Sequence, residues 1–112
     1  VENVESSRKS TILEWLRAYL PTQIIYRDEE WTHALIGNFP FVRNGTLHIH
    51  VGSLRKFLRI ETGDNIDKAR LWDHLRLIGF QCVTVSGRMD DRVVRRSYWS
   101  APEELLEGVE HG

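Results

Sequence analysis

Residues 53–99 read SLRKFLRIETGDNIDKARLWDHLRLIGFQCVTVSGRMDDRVVRRSYW, and periodicity divides them into three parts. Ser53 is placed to cap a helix over 53–61, with Leu54, Phe57 and Leu58 on its inner face and Thr62-Gly63 at its end. Asp64 or Asn65 caps a second helix over 65–78. Leu71, Trp72, Leu75 and Ile78 share one face of it, and Arg70, Asp73, Arg76 and Leu77 lie on the opposite side. Gly79 falls at the left-handed C′ position, and Phe80 is placed for the closing hydrophobic contact. The period then changes from 3.6 to 2. Gln81–Val85 reads as a strand, Ser86–Asp91 as a polar loop and Arg92–Trp99 as the return strand, a hairpin over 80–99.

Working outward, Ile12, Trp15, Leu16, Tyr19 and Leu20 recur at helical spacing over 7–20, and Pro21 stops that helix. Gln23–Tyr26 is a short β-like run, and Asp28 reads as the N-cap of a short helix ending at Gly37. An additional hairpin over 39–51 turns at Asn44-Gly45, the pair that best tolerates the two positive φ angles of a type I′ turn. On the C-terminal side, Ser100 and Glu103 read as a capping box for an amphipathic helix over 101–109, with Leu105, Leu106 and Val109 inward. The expectation is one α+β domain over 1–112 with a small antiparallel sheet and an extra N-terminal hairpin.

At 112 residues, 41% hydrophobic and 28% charged, the chain has the composition of an ordinary soluble domain. No apolar run approaches membrane-spanning length, and the N-terminus lacks a signal-peptide layout. A lone cysteine, Cys82, rules out an internal disulfide, and a cytoplasmic setting is expected. The net charge of −1 hides an uneven distribution. Residues 53–100 carry ten basic and six acidic side chains (+4), whereas 101–112 carry four glutamates and no base (−4). Positive charge therefore gathers on the stretch quoted at the outset.

Helix, turn, helix and hairpin in that order, with a helix and a strand ahead, resemble the winged-helix family of helix-turn-helix folds. The resemblance implies that the helix over 65–78 is a recognition helix and the hairpin over 80–99 a wing. It implies nucleic-acid contacts from Lys68, Arg70, Asp73, His74 and Arg76 on the helix. From the wing it implies Arg88, Arg92, Arg95 and Arg96, with Arg92 and Arg96 on one strand face and Arg95 on the other. The run Phe41–His50, the helix from Ser53 to Ile60, Gly87-Arg88 and Arg95–Trp99 also look like the C-terminal winged-helix tails of phage and plasmid replicative primase–helicases, and are similar to the C-terminal domain of some conjugative relaxases. That implies an accessory domain excised from a larger DNA-replication or DNA-transfer protein. The expected partner is nucleic acid, duplex DNA before single strands, with the rest of the parent protein or a second copy beside it and no membrane. The other reading is a protein-docking or oligomerisation winged helix, marked by an apolar patch at Leu77 and the Leu105, Leu106 and Val109 helix. The acidic tail could then cover the basic face.

No motif carries catalysis. His48 and His50 alternate on one strand face, but zinc needs about three or four ligands and nothing gathers His33, His74 or Cys82 with them, so an exposed polar face is the simpler reading. Asp28, Glu29 and Glu30 suit the first turn of a helix, where the dipole favours carboxylates. Gly37, Gly45 and Gly52 are isolated, without a phosphate-loop pattern. Cys82 reads as a small core residue. Trp15 and Trp72 fall on core faces, and Tyr98 or Trp99, if exposed beside Arg95, would favour single-strand binding. No metal or cofactor is expected, and the chain is not expected to be an enzyme.

Overall fold

The computed structural model describes residues 4–63 and 65–104, with side chains from residue 11 onward. Its elements run α1 (Val4–Tyr19), β1 (Tyr26–Arg27), α2 (Trp31–Gly37), β2 (Phe41–Arg43), β3 (Thr46–Ile49), α3 (Val51–Thr62), α4 (Lys68–Leu77), β4 (Gln81–Met89) and β5 (Arg92–Pro102). Single 3-10 turns at Leu20–Thr22 and Asp28–Glu30 precede β1 and α2. The strands form one mixed sheet in the order β1-β2-β3-β5-β4, parallel only between β1 and β2. Among the described residues the fold is thus α+β with four α-helices and five strands, an arrangement compatible with a winged-helix-like domain.

Alternation along the strands gives the sheet two different faces. One carries Val42, Leu47, Ile49, Trp99 and Ala101, and α1, α3 and α4 cover it with Ile12, Leu16, Tyr19, Leu54, Leu58, Leu71 and Leu75. Each such fully buried leucine contributes about 1.5–3 kcal/mol. The other face carries Phe41 and Tyr98, covered by Ala34 and Leu35 of α2. Tyr98 Oη donates to the carbonyls of Phe39 (3.0 Å) and Ala34 (3.3 Å), tying β5 to the end of α2. Burial pushes the Tyr98 phenol far above its ordinary range, and pushes that of Tyr19, on the opposite layer, up to about 12.

Local signals place several turns as expected. Asn44 (φ 53°) and Gly45 (φ 73°) both sit in the left-handed region between β2 and β3. At the end of α4 the N–H of Gly79 (φ 101°) donates to the Arg76 carbonyl and that of Phe80 to the Leu75 carbonyl, while Phe80 is buried. This is the Schellman closure.

Other expectations are corrected. Helix caps shift by a few residues because side-chain acceptors compete. His50, not Ser53, caps α3, its Nδ1 accepting the Ser53 N–H at 3.2 Å. Asp67, rather than Asp64 or Asn65, caps α4 through Ala69 N–H, so α4 starts at Lys68. Asp28 makes no cap; it stands at φ 50° and opens a 3-10 turn. The polar loop expected at 86–91 shrinks to Asp90-Asp91, because Met89 pairs directly with Arg92. The capping box at Ser100–Glu103 is absent. β5 continues through Pro102 because Ser100 pairs with His48 and Ala101 with Leu47. Leu105, Leu106 and Val109 lie outside the described residues.

Candidate nucleic-acid interface

The basic side chains stand on three neighbouring elements, and each element's geometry decides where they point. On α4, Leu71, His74 and Leu75 face the core, leaving Lys68, Arg70, Asp73 and Arg76 exposed. These four are not equivalent. At about 100° per residue, Lys68, Trp72 and Arg76 fall on the flank toward the sheet and Arg70 on the far flank. The rings of Trp72 and Trp99 stack with centroids 6.0 Å apart, and the Arg76 guanidinium lies 5.3 Å from the Trp99 ring centre. Arg76 Nη1 also donates to Asp73 Oδ1 at 3.1 Å, a pair exposed on both sides and so worth little in stability.

His74 is a correction. It is 5% exposed, stacks on Trp15 with ring centroids 5.6 Å apart, and its Nδ1–H donates to the Arg70 carbonyl at 2.8 Å. Its polar nitrogen is satisfied inside its own helix, so it packs α4 against α1 and cannot reach a ligand.

The β4–β5 hairpin carries four exposed arginines on two faces. Cross-strand partners share a face, so Arg88 (opposite Val93) and Arg95 (opposite Ser86) lie on the side of Cys82 and Trp99, the side over which α4 sits. Arg92 (opposite Met89) and Arg96 (opposite Val85) lie on the side of α2. Gly87 fixes this assignment near the tip. A Cβ there would lie 2.7 Å from Leu35 Cδ1 and 3.2 Å from Thr32 Cγ2, so its neighbour Arg88 points away from α2. The expected split of Arg92 and Arg96 from Arg95 therefore appears. Arg96 Nη1 donates to the Arg95 carbonyl at 2.8 Å.

A third basic group escaped the sequence reading. Arg55, Lys56 and Arg59 follow one another on the outer side of α3, with Gly52, Asn65 and Ile66, around a cavity of about 160 Å³. Their signal was present in the RKFLR run, where 55, 56 and 59 alternate with the apolar positions 54, 57, 58 and 60. Among the described residues only Arg27–Glu103 (2.9 Å) and Arg76–Asp73 form ion pairs, so the other arginines and lysines of α3, α4 and the hairpin have no carboxylate partner there.

The remaining candidates resolve differently. His48 and His50 are half-buried, not on an exposed polar face. His48 stacks on Phe41 with centroids 4.3 Å apart, and its Nδ1–H donates to the Thr46 carbonyl. Burial lowers both imidazole pKa values, helped at His50 by the positive charges of Arg96 and Lys68. Among the described residues no three His, Cys, Asp or Glu side chains are grouped to hold a metal. Cys82 is exposed, not core: β4 is the outermost strand, and at its margin the helical layer covers Trp99 but not the residue opposite it. Tyr98 and Trp99 are buried, Trp15 is stacked on His74, and Trp31 lies under the Arg43 guanidinium at 4.4 Å, so no free aromatic platform stands beside Arg95. Leu77 is half-buried, whereas the large exposed apolar residues are Ile24, Ile36, Ile60 and Val93 on separate elements. Glu103 is tied to Arg27 and to the Gly45 carbonyl, roughly 36 Å along the chain from Arg92 at ~3.3 Å per residue. The rest of the acidic tail, from residue 105 on, lies outside the described residues. Among the described residues no helix is long and apolar enough to cross a membrane.

Comparison of the chain with protein-family models, with curated proteins and with solved structures finds no match in any of the three.

Proposed function

We propose that this chain is a DNA-binding winged-helix module, an accessory domain of a DNA-replication or DNA-transfer protein. The observation that carries the reading is a continuous basic side of the molecule. Arg76 on α4 adjoins Trp99, with Lys68 two turns earlier on the same flank, and the same sheet face continues outward through Arg95 to Arg88. The order β3-β5-β4 under α1, α3 and α4 supports it, because this is how a winged helix presents its last helix and hairpin together. In this reading α4 enters the major groove with Arg70 and Arg76 near base edges, and Arg88 and Arg95 grip phosphates. Asp73 holds Arg76 in place until a base or phosphate displaces it.

Hairpin arginines also guard exposed strand edges against pairing with other chains, a role that needs no ligand. A fluorescence-anisotropy titration with duplex, single-stranded and RNA probes at two salt concentrations separates the two roles. Duplex binding that weakens steeply with salt supports the proposal, and no binding at low salt rejects it. A second reading, protein docking, is favoured by one observation: a groove of about 550 Å³ lined by Ile36, Met89, Val94, Arg92 and Arg96 on the α2 side. Sedimentation that shows a concentration-dependent dimer, without any DNA binding, favours that reading.

A further inference from the structure

We infer that the cavity on the outer side of α3 is a binding site for a phosphate monoester. It is distinct from the α4–hairpin surface. Its lining is Gly52, Arg55, Lys56, Arg59, Asn65 and Ile66, three of which are cations, and no acidic side chain lines it among the described residues. Arg55 and Arg59 are an i,i+4 like-charge pair, which costs an isolated helix a few tenths of a kcal/mol. Three cations around one recess give it a positive potential that a bound anion relieves.

The recess is also prepared. Arg55 is half-buried, and its Nε–H donates to the Ile66 carbonyl at 2.9 Å. That bond fixes the guanidinium plane, and among the described residues the two Nη groups, the fork that pairs with phosphate oxygens, have no partner. Gly52 lines the opening, and a Cβ at that position would lie 2.9 Å from the His50 ring. Its N–H belongs to the first turn of α3, where donors have no partner within the helix. Asn65 adds a neutral amide donor. Charge selects the ligand class. A backbone diester brings one negative charge to three cations, whereas a monoester brings close to two above its second pKa of about 6. The shared chemistry is a terminal phosphate, borne by a nucleic-acid strand end or by a free mononucleotide. The strand-end source rests on the nucleic-acid reading above; the pocket itself does not.

The test uses the intact 112-residue chain. Inorganic phosphate and a 5′-mononucleotide are titrated while the backbone amide resonances of residues 52–59 and 65–66 are followed. Saturable shifts confined to these residues, weaker at pH 5 than at pH 7.5, support the site; no shift at millimolar ligand overturns it. Lys56→Gln/Arg59→Gln touches no side-chain hydrogen bond among the described residues and must abolish the shifts while thermal unfolding stays unchanged. Persistence of the shifts in that variant overturns the assignment. Oligonucleotides with a 5′-phosphate or a 5′-hydroxyl then identify the source. Preference for the phosphate by about tenfold, lost in the double variant, assigns a strand end. Mononucleotide binding without that preference assigns the small molecule. Phosphate shifts in a chain that binds no oligonucleotide would sink the nucleic-acid reading and leave the pocket standing.

Discussion

Two pairs of arginines on the β4–β5 hairpin differ in the face they occupy and in nothing else that a charge count registers. Arg88 and Arg95 share the side of Trp99 and α4, and Arg92 and Arg96 share the side of α2. Arg88→Ala/Arg95→Ala and Arg92→Ala/Arg96→Ala each remove two positive charges. If α4 and the adjoining hairpin face hold duplex DNA, the first pair neutralises two phosphates and the second none. Each phosphate contributes about 0.9 to the slope of log affinity against log salt, so the first variant loses about 1.8 of slope. Between 50 and 200 mM salt that removes roughly a 12-fold share of the salt-induced loss of affinity. The second variant keeps the wild-type slope, because charges beyond about 8–10 Å from the phosphates are screened in this salt range. Anisotropy titrations of both variants at four salt concentrations measure the slopes. Equal slopes for the two variants would refute the face assignment and reduce the hairpin's role to bulk charge or to guarding strand edges.

Three further outcomes concern the scaffold. Gly87→Val places branched carbon where Leu35 and Thr32 already lie at 2.7 and 3.2 Å from a Cβ; urea unfolding should show a loss of about 1–3 kcal/mol, and an unchanged midpoint would mean that α2 does not seat there. Tyr98→Phe removes the hydroxyl that donates to Phe39 and Ala34; a loss of about 1 kcal/mol is expected in the same assay, and a stabilised variant would count against those bonds. The folded chain lowers the pKa of His48 and His50 below the usual value near 6.5. Their contribution is therefore complete above pH 6.5 and is lost as pH falls through the lowered folded values, because the unfolded chain binds the protons first. His50→Asn keeps an acceptor for the Ser53 N–H and removes one titration, so its stability should decline less below pH 6.5. A decline equal to that of the wild type would exclude His50 as a source.

Most of the helices, and the places where the chain turns, were legible in the residues because their causes lie within a few positions. Pro21 cannot continue α1, Asn44-Gly45 tolerates two positive φ angles, and Gly79-Phe80 closes α4. The charged candidates were legible as residue types but not as a surface. His74 reads as an exposed polar flank of its helix until Trp15 of α1 stacks on it. Arg55, Lys56 and Arg59 read as an ordinary solvated helix face until Ile66 and Asn65 close over one end of it.

By itself the chain determined its local geometry: which segments alternate with period 3.6 or 2, where they stop, and that positive charge collects between residues 53 and 100. Long-range packing sets the rest: that β5 runs on through Pro102, that α2 covers the second face of the sheet, and that the hairpin arginines divide between α4 and α2. The physical reason is the range of the forces concerned. A turn or a cap is settled by steric and hydrogen-bonding choices among neighbours in sequence. The extension of β5 depends on partners in β3 some fifty residues earlier, and a side chain faces solvent or core according to which distant element packs over it.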